Sequence, residues 1–181
     1  MSIDDNFIVE TAQRFGLISV LCVGNGLSQE PVALSKAGLI VTALDISPFA
    51  VFVAKEMSKS FDSPEKYFDT SLIRDGGSIQ FLEGDLFNAN QCPGPYDIVI
   101  ERRTIQDYPP EKHCVAVNCI ISRLAKRGIV VCHCHDATWR PGKKPKHATR
   151  SELEKLGIQF WNCEELQNLD GQLAIAVSTT G

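Results

Sequence analysis

Residues 18–24, Ile-Ser-Val-Leu-Cys-Val-Gly, form an apolar run that ends in glycine, the pattern of a central strand buried on both faces. The next segment carries helix punctuation. Ser28 is placed as an N-cap, Pro31 falls in the first turn and Gly38 stops the helix. Residues 40–46 then read as a second strand, and Ser47-Pro48 opens a second helix running to about Ser60, with Phe49, Phe52, Val53 and Met57 spaced as its buried face. Strand-length apolar stretches go on alternating with helical ones, which predicts a mostly parallel sheet with helices on both faces. Residues 62–77 are polar and fit either a helix or a loop. Further strands are expected at 78–82, 96–101 and 129–134, with a helix opened by Pro109-Pro110 and closed by Gly128 between the last two. Thr149-x-x-Glu152 reads as a capping box for a short helix. Segments 158–163 and 172–178 are separated by about eight residues, too few for the dozen or more of a helical crossover, so that pair should be antiparallel. The expectation is an α/β, doubly wound, seven-stranded sheet whose last strand is reversed.

The chain has 181 residues, a size at which a single domain buries enough surface to need neither metal nor disulfide. Residues 18–181 are expected to form the core and residues 1–17 an extension, a short helix over the ligand site. Eighteen Lys and Arg against 22 Asp and Glu leave a net charge of −4, which argues against a dedicated nucleic-acid binder. No apolar run approaches the length of a membrane helix, and Met1 to Asn6 holds two acids where a leader would hold bases. Seven cysteines, mostly within hydrophobic segments, fit reduced core thiols, so a cytoplasmic location is expected.

Ligands of such sheets bind beyond the carboxyl ends of the strands, where strand order reverses. After the first strand comes Gly24-Asn25-Gly26-Leu27-Ser28, in which the glycines permit a tight turn and close approach of a ligand. Asp45 ends the second strand 19 residues after Gly26, where an acid can accept from both hydroxyls of a ribose; the alternative is that it joins Ser47 in capping the next helix. Glu83-Gly84-Asp85-Leu86 ends the third strand, with Asp85 suited to an adenine amino group and Leu86 to the ring face, or else with Asp85 as a plain turn residue.

Read as VLCVGNGLS, VTALDIS and FLEGDLF, these positions resemble the class I S-adenosylmethionine-dependent methyltransferases, a Rossmann-like family with a reversed seventh strand. The resemblance covers nearly the whole chain. It implies S-adenosylmethionine as cofactor, S-adenosylhomocysteine as product, and cofactor contacts at Val23, Gly24, Asn25, Gly26, Asp45, Ile46, Asp85, Leu86 and Glu101, with the Glu101 carboxylate accepting from the methionine ammonium group. An internal ion pair of Glu101 with Arg102 or Arg103 is the competing assignment. The family often has an acid where Cys22 stands and a third glycine where Ser28 stands. A nicotinamide enzyme would instead carry a third glycine at position 29, where the chain has Gln29.

The segment 100–108 after the fourth strand resembles the family's donor and acceptor wall but lacks the Asn-Pro-Pro-Tyr that holds a planar amide or amine. Methyl transfer asks mainly for positioning, so few residues need be catalytic. Asp107 and His135 are the candidate bases, and Arg103, Tyr108, Trp139 and Arg140 the candidate acceptor contacts. Cys132-His133-Cys134-His135 alternates across a strand, which puts at most two of its ligands on one face, so no metal is expected. His113 reads as a surface residue in a helix's first turn. Residues 140–150 hold five bases and no acids, leaving −9 on the remainder, and suit an anionic acceptor, an acidic protein surface or a phosphate backbone. The acceptor is otherwise open. The rival to an enzyme is a methyltransferase-like domain that no longer methylates and binds protein partners.

Overall fold

The computed structural model describes residues 3–102, 104–134 and 172–177. Strand β1 (Ser19–Val23) lies at the centre of the sheet because four of its five residues are buried. It pairs in parallel with β2 (Ile40–Asp45) on one side, Val20 opposite Val41, and with β4 (Tyr96–Arg102) on the other, Val20 opposite Ile98. Strand β3 (Ser78–Glu83) continues the sheet beyond β2, and β5 (Leu124–Cys134) continues it beyond β4, again in parallel. Strand β6 (Gln172–Val177) runs antiparallel to β5, with Val131 opposite Ile175. The order is β3-β2-β1-β4-β5-β6. Six of the expected strands are thus in place; the expected strand and helix within 149–163 lie outside the described residues. Strand order reverses between β1 and β4, and a crevice follows at their carboxyl ends.

Helices cover both faces. On one, α1 (Ile3–Phe15) and α2 (Glu30–Lys36) pack Ile8, Val9, Ala12, Ala33 and Leu34 with Val20, Val41 and Ile98 of the sheet. On the other, α4 (Pro110–Ile121) sets Ala116, Val117 and Ile120 against Leu21, Val99 and Val130. The polar segment 62–77 is a loop with two short 3-10 turns, Pro64–Lys66 and Thr70–Leu72, and between them Phe68 is fully buried in the first of these cores.

Helix α3 (Pro48–Ser58) begins as expected, Ala50 N–H donating to the Ser47 hydroxyl at 3.2 Å. Its buried face does not follow the large residues. Of the four residues spaced as that face, Phe49 and Phe52 are 71% and 62% exposed and Met57 is also exposed, while Val53 is half-buried; Ala54 is buried, with Ala50, Val51 and Ser58 half-buried beside it. This stripe of mostly small residues is what the helix turns inward. A second difference concerns Gly128, expected to close α4. The helix ends at Ile121, and the Arg123 carbonyl already accepts from the Tyr96 amide at 2.7 Å, starting the β5 ladder early. The register then shifts, Tyr96 facing Leu124 but Ile98 facing Ile129. At this irregularity a Cβ on Gly128 would lie 3.0 Å from the Ala125 carbonyl oxygen and 3.1 Å from that of Asp97, so glycine relieves crowding inside a strand. Pro110 and the preceding Pro109 do open α4, but His113 in its first turn is buried, its Nε2–H donating to the Tyr108 carbonyl at 2.9 Å.

Because Phe68 anchors the 62–77 loop beneath α1 and α2, Phe68→Ala is expected to cost about 3–5 kcal/mol of unfolding free energy in urea titration. A loss below about 1 kcal/mol would show the loop to be dispensable to this core.

Candidate functional site

The cleft at the strand reversal has a volume of about 370 Å³ and is lined by Val23, Gly24 and Gly26 after β1, Leu44, Asp45 and Ile46 after β2, Gly84 and Leu86 after β3, and Arg102, Thr104, Asp107 and Tyr108 after β4. That volume lies within the range of small-molecule sites. None of its lining comes from α1, which packs on α2 and the 70–72 turn instead of over the ligand site as expected.

Gly24 and Gly26 both take positive φ, 62° and 54°, a conformation costly for other residues. Their surroundings differ. A Cβ at Gly24 would fall 2.0 Å from the Thr104 hydroxyl oxygen, which is itself hydrogen-bonded to the Val23 carbonyl at 3.0 Å. A Cβ at Gly26 would meet nothing within 4 Å. The turn is therefore closed against the β4 segment at Gly24 and open at Gly26.

Asp45 joins this turn to α3. Its Oδ2 accepts from the Gly26 amide at 2.6 Å and its Oδ1 from the Ser47 amide at 2.9 Å. A carboxylate offers about four acceptor positions, so two stay available beside the cleft. The helix-side contact and a ligand-side role are compatible in this geometry. Asn25 points its carboxamide at the Gly26 and Ser28 carbonyls, 3.4 and 3.3 Å away, and serves the turn itself. Asp85 accepts from the Phe87 amide at 2.9 Å, the arrangement of a turn residue, while its neighbours Gly84 and Leu86 form the cleft wall.

Beyond β4 the structure departs from a simple reading of the sequence. Glu101 is 1% exposed and sits behind the cleft wall. Its Oε1 accepts from the amides of Thr104 and of Ile105, the latter at 2.9 Å, and its Oε2 lies 2.9 Å from Cys132 Sγ. Burial pushes its carboxyl above the ordinary glutamate value, opposed by the Cys132 and backbone hydrogen bonds, with Asp107 adding to the upward shift. Of the two arginines weighed as ion-pair partners of Glu101, Arg103 lies outside the described residues, and Arg102 pairs with Glu30 at the start of α2, its Nε 2.7 Å from Oε2 and its terminal nitrogen 2.5 Å from Oε1. Tyr108 packs edge-on against Phe87, centroids 4.9 Å apart, and burial raises its hydroxyl above its ordinary value, so it stays protonated and can donate.

Of the residues singled out in the sequence, Val23, Gly24, Gly26, Asp45, Ile46, Leu86, Asp107 and Tyr108 meet in the cleft. Arg103, His135, Trp139 and Arg140 lie outside the described residues. Leu44, Gly84, Arg102 and Thr104 also line the cleft without having been singled out individually; each adjoins a predicted contact, and Arg102 and Thr104 fall in the 100–108 segment. Among the described residues, no helix is long and apolar enough to cross a membrane.

Strand order, the reversed last strand and the cleft position together are the class I S-adenosylmethionine-dependent methyltransferase fold. Among solved structures, magnesium protoporphyrin IX methyltransferase from Synechocystis PCC 6803 with bound S-adenosylmethionine is 20% identical, with 96% of this chain and 77% of that chain aligned at a TM-score of 0.66. The methyltransferase domain of a bacterial Hen1 aligns over 97% of both chains at 13% identity and a TM-score of 0.66. A methyltransferase from Methanosarcina mazei covers 88% of this chain and 90% of its own at 14% identity and a TM-score of 0.62. Neither a protein-family model nor a curated protein sequence matches the chain.

Since the folded state holds Glu101 protonated above the pH at which the unfolded chain releases that proton, its contribution to stability is present at low pH. It is lost as pH rises from the ordinary glutamate value of 4.5 through the raised one. Melting temperatures of the wild type should therefore fall more steeply over this interval than those of Glu101→Gln; parallel curves would remove Glu101 as the cause. Gly26→Ala should cost about 1 kcal/mol through its positive φ, and Gly24→Ala clearly more, because the Thr104 contact must also break; equal costs in denaturant titration would contradict the packing of Thr104 on the turn.

Proposed function

We propose that the cleft binds S-adenosylmethionine and that the protein transfers its methyl group to a small-molecule or protein acceptor. The observation that carries this reading is the Asp45 carboxylate, held at the end of β2 by the Gly26 amide with acceptor capacity to spare, beside a glycine whose outer face is open. Two hydroxyls of a ribose match the acceptor positions that Asp45 retains. Leu44, Ile46 and Leu86 supply an apolar slot for a flat base next to them, and the Gly24–Gly26 turn lets the backbone approach the rest of the ligand. Solved neighbours of the same fold contain S-adenosylmethionine or S-adenosylhomocysteine.

S-adenosylmethionine supplies a sulfonium-activated methyl carbon. The chain's own residues then align an acceptor lone pair with that carbon, for which orientation counts more than acid–base chemistry. Thr104, Asp107 and Tyr108 form the wall nearest the end of β4. Asp107 takes up an acceptor proton when the acceptor carries one, and Tyr108, kept protonated by burial, donates a hydrogen bond to the acceptor. Arg102 lines the cleft with its guanidinium already paired with Glu30, so it adds little net positive charge there. The five bases within 140–150 direct the acceptor search toward anionic compounds first.

Calorimetric titration tests the reading. Both S-adenosylmethionine and S-adenosylhomocysteine should bind and NADH should not. Since a hydrogen bond to a charged group contributes about 1.5–3 kcal/mol, Asp45→Ala should weaken both by about ten- to a hundred-fold. Silence of the wild type toward both would favour a non-catalytic, protein-binding domain, and an unaltered Asp45→Ala variant would remove the ribose assignment.

A further inference from the structure

Glu101 is the most deeply buried acidic side chain among the described residues, and it is not one of the residues that line the cleft. It stands where β4 ends and the chain turns back across the mouth of β1. Its Oε1 accepts from two consecutive amides, those of Thr104 and Ile105. These are the leading amides of the 3-10 turn Ile105–Asp107, for which Thr104 occupies the capping position without lending its side chain. The Thr104 hydroxyl is engaged elsewhere, on the Val23 carbonyl of β1. The amides at the start of this turn therefore rely on Glu101, as helix-type termini need an outside acceptor. Further along the same segment, Asp107 and Tyr108 line the cleft.

We infer that Glu101 is a positioning residue: by accepting from Thr104 and Ile105 it sets the 104–108 wall of the cleft, and it does so as a hydrogen-bond acceptor without contacting any ligand. This rests on the reading of the cleft as a cofactor site and assigns Glu101 a role different from that of a partner for the methionine ammonium group. The groups facing its carboxyl are the Cys132 thiol from β5 and Asp107 from the turn it holds, and the adjoining Arg102 spends its guanidinium on Glu30. Burial is the largest influence on this carboxyl and raises its pKa above the ordinary glutamate value. A neutral group with a carbonyl-type oxygen should therefore serve as well: glutamine keeps an acceptor for both amides and turns its amide nitrogen toward Cys132 Sγ.

The test compares wild type, Glu101→Gln and Glu101→Leu in two measurements on the full chain: amide hydrogen exchange at Thr104 and Ile105 without ligand, and S-adenosylhomocysteine affinity by calorimetry. Both amides should be protected in wild type and Glu101→Gln and exchange at least about ten-fold faster in Glu101→Leu, the loss of roughly one to two net hydrogen bonds. Affinity should stay within about three-fold in Glu101→Gln and fall by about ten-fold or more in Glu101→Leu. Rapid exchange in the wild type overturns the inference, as does a glutamine variant as weak as the leucine one, which would make the charge itself the ligand contact. Freed amides with unchanged affinity also overturn it. If the leucine variant does not fold, wild type and Glu101→Gln decide by the same criteria. Should the wild type not bind S-adenosylhomocysteine at all, the cofactor reading fails and takes the ligand arm with it, while the exchange arm still decides whether Glu101 holds the wall.

Discussion

The carboxylate of Asp45 is the contact on which the site's geometry depends. One oxygen receives the Gly26 amide and the other the Ser47 amide, so one side chain ties the turn after β1 to the start of α3. Both turns leave amides that the sheet cannot satisfy, because parallel strands end where their connections begin. An acid at the end of β2 meets both needs and still faces the cleft. The same demand that shapes the backbone thus creates the polar point at which a ligand can be oriented.

A second set of contacts closes the opposite wall. The Thr104 hydroxyl reaches the Val23 carbonyl across the strand reversal, and its methyl and hydroxyl fill the space that a side chain at position 24 would take. Glu101 holds the amides of the same segment from behind, and the Arg102–Glu30 pair fixes the end of β4 to the start of α2. Charged and polar groups at this wall are therefore consumed largely by structure, and the cleft receives what they position: Asp107 and Tyr108. A deeply buried hydrogen-bond acceptor suits that task, since a fixed wall needs its buried amides satisfied.

Much of this architecture is legible in the residues. Apolar runs interrupted by Gly, Pro and capping residues mark β1 to β4, and Ser47-Pro48 and Pro109-Pro110 open helices where expected, because these residues act on the backbone locally. The Gly24-x-Gly26 and Asp45 spacing brings together one face of the cleft for the same reason: strand ends and tight turns are written in neighbouring residues. Where large apolar side chains alone guided the reading, it went astray. Phe49, Phe52 and Met57 share helical spacing, but the helix turns Ala50, Ala54 and Ser58 inward.

By itself the sequence determined the parallel α/β order, the glycine turn and the acid that follows it, since each is governed by contacts a few residues apart. Tertiary structure alone decided the burial of Glu101 and His113, the pairing of Arg102 with Glu30 and the seating of Thr104 on Gly24. These join residues about 70 to 80 positions apart or depend on what is stacked above them. Whether an ionisable side chain faces a ligand or an amide behind the wall is set by the three-dimensional surroundings that desolvate it, and no local pattern encodes those.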